Sequence, residues 1–199
     1  KKTKGIILKA VTGTDGQLYQ GQINWYVLEQ KADLSGKRKE IKKMWRGKAS
    51  QPFPSLLPGQ YRVVAQLSDA KHIKASKDIK IVDEPTQAHE VMVGFGKVRF
   101  NAKIDLSDQV FKMDLAYRVL AAKADFSGKR KEIINFWRVK NGSVFLLPVG
   151  DYKIAGTLPD AKYIYFEKDI SVTHGSQEAH EFVIHAGWVR FDARPSANS

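Results

Sequence analysis

Residues 32–41 read Ala-Asp-Leu-Ser-Gly-Lys-Arg-Lys-Glu-Ile, and residues 124–133 read Ala-Asp-Phe-Ser-Gly-Lys-Arg-Lys-Glu-Ile. Nine of these ten positions are identical, and the one change, Leu34 to Phe126, stays apolar. Such a match is far beyond chance in 199 residues, so the chain is a tandem duplication and each half reads as one folding unit. The repeat runs on in both directions. Leu56-Leu57-Pro58-Gly59-Gln60-Tyr61 returns as Leu146-Leu147-Pro148-Val149-Gly150-Asp151-Tyr152, with Val149 read as an insertion. Asp69-Ala70-Lys71, Ala88-His89-Glu90 and Val98-Arg99-Phe100 return as Asp160-Ala161-Lys162, Ala179-His180-Glu181 and Val189-Arg190-Phe191. The period of about 91 residues is too long for a solenoid unit and suits a small domain. Two domains are therefore expected, at residues 1–94 and 95–199, joined without a Pro- or Ser-rich linker at His89–Phe100. So short a connection implies a stiff pair.

The dominant hydrophobic period is two. Ile23, Trp25 and Val27 alternate with Asn24, Tyr26 and Leu28, and Tyr61, Val63, Ala65 and Leu67 alternate with Arg62, Val64 and Gln66. Lys77, Ile79 and Ile81 alternate with Asp78, Lys80 and Val82, and Tyr152, Ile154, Gly156 and Leu158 with Lys153, Ala155 and Thr157. Such alternation marks half-buried strands, with turn signals every 8 to 12 residues. Strands are expected at 5–11, 22–30, 39–46, 52–56, 60–67, 75–82 and 88–94. In the second copy they are expected at 96–103, 113–121, 131–138, 143–146, 151–158, 165–172 and 179–185. No convincing helix is present. Seven short strands per copy predict an all-β chain of two tandem immunoglobulin-like or transthyretin-like β-sandwiches. Tyr61 and Tyr152 open inward-facing strands, so their rings are expected to be largely buried.

The order of landmarks in copy one is Gly5-Ile6-Ile7-Leu8, then Gly21, then Phe53 leading to Leu56-Leu57-Pro58-Gly59-Gln60-Tyr61. It resembles the carboxypeptidase-regulatory and Cna B-type modules of bacterial exported proteins, whose signature has the form Gly…Gly…Phe-x-x-Leu-x-Pro-Gly-x-Tyr. The resemblance covers most of each copy and is specific for fold. It implies a non-catalytic spacer, stalk or docking module of a larger bacterial protein, placed in the periplasm or at the cell surface. Some Cna B-type domains carry a Lys–Asn isopeptide bond formed with a Glu, but no Lys, Asn and Glu recur here at matched positions.

Composition narrows the partners. The net charge is +12, with 17 basic against 9 acidic side chains in residues 1–94 and 16 against 12 in residues 95–199. A basic surface favours anionic partners such as envelope polymers, lipid headgroups or acidic proteins. No signature of nucleic-acid binding is present. Cysteine is absent, which removes disulfides and thiolate chemistry. The chain opens at Lys1-Lys2 and runs straight into patterned sequence, as a piece of a longer protein would. Residues 187–193 resemble the strand that opens copy two. They read either as the start of a third repeat or as a cap, and the polar tail after Pro195 favours the cap.

The repeated clusters Lys37-Arg38-Lys39 and Lys129-Arg130-Lys131 follow Ser-Gly turns and should project from equivalent loops. With Trp45 and Trp137 as nearby stacking surfaces they form a candidate site for an anionic glycan or lipid headgroup. The plainer reading has solvated hairpins in register, with Glu40 and Glu132 pairing across the strand. Likewise Trp25, Tyr117, Trp45 and Trp137 recur at matched positions, and the default place for such rings is between the two sheets. His180-Glu181 with His185 has the wrong spacing for a zinc helix and falls on a strand, where residues 180 and 185 face opposite ways. Neither a metal nor a cofactor is expected. No nucleophile elbow or phosphate loop occurs, so catalysis is not expected. The readings left open are a structural or docking module, a binder of anionic glycan or lipid headgroups, and an accessory domain of an enzyme whose catalytic part lies elsewhere.

Overall fold

The computed structural model describes residues 5–13, 15–54, 56–83, 87–104 and 112–185. They form strands and connections with no helix, as the period-two pattern requires.

In the first half, β1 (Ile6–Thr12) pairs antiparallel with β5 (Ser50–Phe53) and, near its end, with the two-residue β2 (Gln17–Leu18). On its other side β1 pairs in parallel with β8 (Gln87–Met92). The facing sheet is antiparallel, in the order β4 (Glu40–Gly47), β3 (Ile23–Glu29), β6 (Gly59–Leu67), β7 (Lys74–Ile81). The second half repeats the plan. β12 (Val144–Pro148), β9 (Phe95–Ile104) and β15 (Gln177–Ile184) make one sheet, with β9 and β15 parallel. β11 (Arg130–Val139), β10 (Leu115–Ala124), β13 (Gly150–Leu158) and β14 (Ala161–Val172) make the other. This is the immunoglobulin-like β-sandwich, and every expected strand is present within a few residues of its expected ends. β2 was not legible, because two exposed residues carry no periodicity. The 187–193 segment lies outside the described residues.

Each sandwich buries its own apolar cluster. Ile6, Leu8, Ile23, Trp25, Val27, Phe53, Val63, Leu67, Ile73 and Val93 fill the first. Val98, Phe100, Leu115, Tyr117, Val119, Leu147, Ile154, Phe182 and Ile184 fill the second. The buried polar side chain among the described residues is Asn24, whose Oδ1 accepts from the Arg46 amide (3.0 Å) and the Ser68 hydroxyl (2.9 Å). Its oxygen thus ties β3 to the bulge residue Arg46 and to Ser68 after β6.

Register corrects one detail of the repeat. Phe53 stands opposite Ile6 and Phe145 opposite Val98, while Leu56 and Leu147 are both buried. The Tyr61 hydroxyl donates to Leu57 O, and the Tyr152 hydroxyl to Pro148 O, both at 2.9 Å. Leu57 therefore matches Pro148, and Pro58 matches Val149. Val149 is no insertion; the length difference is the extra residue between Phe53 and Leu56. Of the two rings, Tyr152 is buried as expected, whereas Tyr61 is only half-buried.

The halves meet directly. Val149 N donates to Gly94 O (3.3 Å) across the junction, while Gly175 N donates to Phe95 O (2.9 Å) within the second half. The His72 ring nitrogen lies 2.7 Å from Leu146 O. The Phe95 ring meets Tyr19 and His174 edge-on, with centroids 5.9 and 6.5 Å away.

Candidate interaction site: the repeated hairpins

The near-identical decapeptides form the connections β3–β4 and β10–β11, and most of their identity is backbone chemistry. Asp33 Oδ1 accepts from the Ser35 amide (2.9 Å), the Ser35 hydroxyl (2.7 Å) and the Lys37 amide (2.9 Å). Asp33 N donates to Lys37 O and Gly36 N to Asp33 O. Gly36 adopts φ +79°, a region open to glycine at little cost. Asp125, Ser127, Gly128 and Lys129 repeat every one of these contacts. The Ser hydroxyl and the Lys amide hold both aspartates below the ordinary carboxylate range, against a small opposing effect of burial. Asp, Ser and Gly recur because the turn needs a side-chain acceptor, a donor and a left-handed residue.

What remains is the decoration. Lys37, Lys39, Lys129 and Lys131 are exposed. Arg38 and Arg130 are not equivalent to them. Arg38 is half-buried and lines a surface hollow with Leu28, Arg62 and Val64, and Arg130 donates to Ala121 O at 3.2 Å. Cross-strand pairing of Glu40 takes a different form from that expected: the carboxylate meets Lys43 on its own strand, at 3.6 Å, while Lys39 reaches Glu29 on β3 at 4.0 Å. At the apex of each turn stands a residue the candidate site had omitted. Leu34 and Phe126 have relative exposures of 110% and 114%, the largest of any large apolar side chain among the described residues. The only sequence signal was an apolar residue inside an otherwise polar turn, kept apolar in both copies.

The tryptophans separate from the basic loops. Trp25 and Tyr117 lie between the sheets, but Trp45 and Trp137 do not: each is 54% exposed, on edge strands β4 and β11. A bulge turns them out. Ile23 pairs with Gly47 while Trp25 pairs with Met44, so β4 carries one extra residue, and Leu115–Val139 against Tyr117–Phe136 repeats this on β11. The extra turn is taken up at Arg46 and Arg138, both at φ +51°. Each indole face has an ammonium near it: Lys43 Nζ lies 5.7 Å from the Trp45 centroid and Lys162 Nζ 6.0 Å from that of Trp137. Six residues of strand, roughly 20 Å at the usual rise, separate Lys39 from Trp45. The eight candidate residues thus split into loop lysines, half-buried arginines and distant tryptophans.

Elsewhere, a cleft of about 420 Å³ opens between the halves, lined by Tyr19, Gln20, Phe95, Lys97, Leu146 and His174 among others. Glu181 pairs with Lys103 at 2.7 Å. No group of three His, Asp or Glu that could hold a metal gathers among the described residues.

No known family's sequence profile matches the chain, and no curated protein matches it. Among solved structures, the minor pilin of Streptococcus agalactiae is similar over 96% of this chain and 100% of its own, at 8% identity and a TM-score of 0.47. The shaft pilin of Lactobacillus rhamnosus GG is similar over 95% and 100%, at 8% identity and a TM-score of 0.40. The TIE protein of Bacillus anthracis is similar over 93% of this chain at 13% identity and a TM-score of 0.37, and the chain spans 34% of its length. The fold assignment rests on the sheets and registers above.

Proposed function

We propose that the chain is a non-catalytic spacer and docking module of an exported bacterial surface protein, with residues 1–94 and 95–199 as its two domains. The observation that carries this reading is the junction. β8 ends at Met92 and β9 begins at Phe95, and the halves meet through the Val149 N–Gly94 O bond, the His72 ring against Leu146 O and the Tyr19–Phe95 ring contact. A load-transmitting spacer needs such a joint, because a flexible linker would let the units swing independently. The two buried apolar clusters add to the reading, since a sandwich whose inward faces are taken up by core side chains works through its surface. Small-angle X-ray scattering tests it. Solutions of the intact chain should fit one orientation of the halves, and insertion of a Gly-Ser segment after Gly94 should broaden the distance distribution. An intact chain already as variable as the insertion variant would overturn the spacer role.

A second reading, binding of an anionic envelope surface through the β3–β4 and β10–β11 turns, is favoured by the exposed lysines there and by the apolar apices between them.

A further inference from the structure

We propose that the two turn apices are membrane-docking tips, which insert Leu34 and Phe126 into the interfacial layer of an anionic bilayer while the flanking lysines meet its headgroups. The inference deepens the second reading above and does not depend on the spacer role.

Four observations lead to it. The apical side chains are fully out of the fold, at 110% and 114% exposure, so they contribute nothing to either core. They are also held out by a stiff turn. Three hydrogen bonds to one Asp oxygen and a left-handed glycine fix each apex before any partner arrives. Little ordering cost is then left for docking. A cationic collar flanks each apex along its hairpin: Lys31, Lys37 and Lys39 are exposed on either side of Leu34 in the chain, with Lys39 4.0 Å from Glu29, and Lys123, Lys129 and Lys131 on either side of Phe126. The carboxylate within each turn, though exposed, accepts three of the turn's own hydrogen bonds, and three lysines on each hairpin outnumber it. An apolar point flanked by ammonium groups complements an anionic interface, whose headgroups attract the collar while the acyl boundary receives the point.

The fourth observation separates a bilayer from the alternatives. The copies share Asp, Ser, Gly, Lys, Arg and Lys here, yet exchange Leu for Phe at the tip. A shaped protein pocket would distinguish a branched aliphatic from a flat ring, whereas a fluid interface accepts both. An aliphatic tip also offers no stacking face to a sugar or a base, so a soluble glycan would use only the lysines.

The test is partition of the full chain onto vesicles of phosphatidylcholine with and without phosphatidylglycerol, with heparin-agarose retention alongside. Wild type should bind the anionic vesicles and not the neutral ones. The double variant L34S/F126S, with fully exposed positions changed, should keep its circular dichroism and its heparin retention. Its partition onto anionic vesicles should fall by about tenfold or more per tip, as expected for one exposed apolar side chain moved out of water. K37E/K39E/K129E/K131E should lose both vesicles and heparin. Anionic vesicles bound equally by wild type and L34S/F126S would overturn insertion and leave a purely ionic contact. No vesicle binding by wild type would overturn the proposal outright, and retention on heparin in that case would assign the collar to a soluble polyanion. Unchanged scattering in any of these outcomes leaves the spacer reading standing.

Discussion

The two cores solve one packing problem with different side chains. In the first, Trp25 fills the centre, its indole Nε1 donating to Lys48 O at 3.0 Å, among Leu8, Val63, Val91 and Ala65. In the second, Tyr117 replaces the indole, Phe100 stands where Leu8 does, and Phe182 where Val91 does. The result is an aromatic cluster: Phe100 lies 4.9 Å from Tyr117, 5.3 Å from Phe145 and 5.6 Å from Phe182, centroid to centroid. Room for it comes from a glycine. Ala65 pairs with Ala75 across β6–β7, but Gly156 pairs with Phe166 across β13–β14. A Cβ on Gly156 would meet the Phe166 ring at 2.1 Å. Volume has been redistributed among layers while the register stayed, as close-packed interiors allow when total volume is kept. One cost is visible. The Tyr117 hydroxyl is buried without a hydrogen-bond partner, and burial raises its pKa well above the ordinary tyrosine value.

The largest expected effect tests whether the aromatic cluster is the keystone of the second half. F100A should destabilise that half by about 4 kcal/mol, and L8A should cost the first half about 3 kcal/mol. Denaturant unfolding followed by hydrogen exchange in each half measures both. Equal or reversed losses would break the comparison. Next in size, G156A should cost about 2 kcal/mol or more through overpacking against Phe166. The pair G156A/F166A, which copies Ala65 and Ala75, should recover part of that loss relative to the sum of the single changes; strict additivity in a double-mutant cycle would show that the two side chains do not compete for space.

A smaller contrast isolates the polar atoms. W25F removes the indole donor from Lys48 O and should cost about 1 kcal/mol or more, whereas Y117F removes an unpartnered buried hydroxyl and should be neutral or stabilising by up to about 1 kcal/mol. Thermal denaturation distinguishes these signs, and a clear loss in Y117F would mean the hydroxyl has a partner.

The smallest effect is one the halves should share. Asp33 and Asp125 have folded pKa values below the usual 3.8, so the stability they lend is present above the unfolded value and is lost as pH falls through the folded one. Carboxyl carbon shifts followed downward from about pH 5 should give two depressed titrations of similar midpoint. Lys37 and Lys129 amide shifts should move with them. Different midpoints would show that the identical decapeptides sit in different fields.

Much of this architecture was readable before any coordinates. Period-two alternation is imposed by the pleat itself, so the positions of seven strands in each copy follow from the order of apolar residues, and only the two-residue β2 of the first copy does not. The duplication followed from one decapeptide, and the cause of its retention is equally local: Asp, Ser and Gly close a turn within five residues. What sequence could not decide were facts about faces. Trp45 looked like a core residue because a single ring in a strand has no marked side. The bulge at Arg46 and Arg138, which depends on pairing with β3 and β10, turns it to solvent. The clusters of three basic residues look uniform, but Arg38 and Arg130 are half-buried while the lysines beside them are exposed. Likewise Val149 looked inserted until the Tyr61 and Tyr152 hydroxyl bonds set the alignment. The sequence alone therefore determined the all-β repeat and its turns, which rest on contacts a few residues apart. Only the tertiary structure decided which aromatic rings are buried, which cations are free and which apolar side chains are left at the apices, because those depend on strands paired from distant parts of the chain.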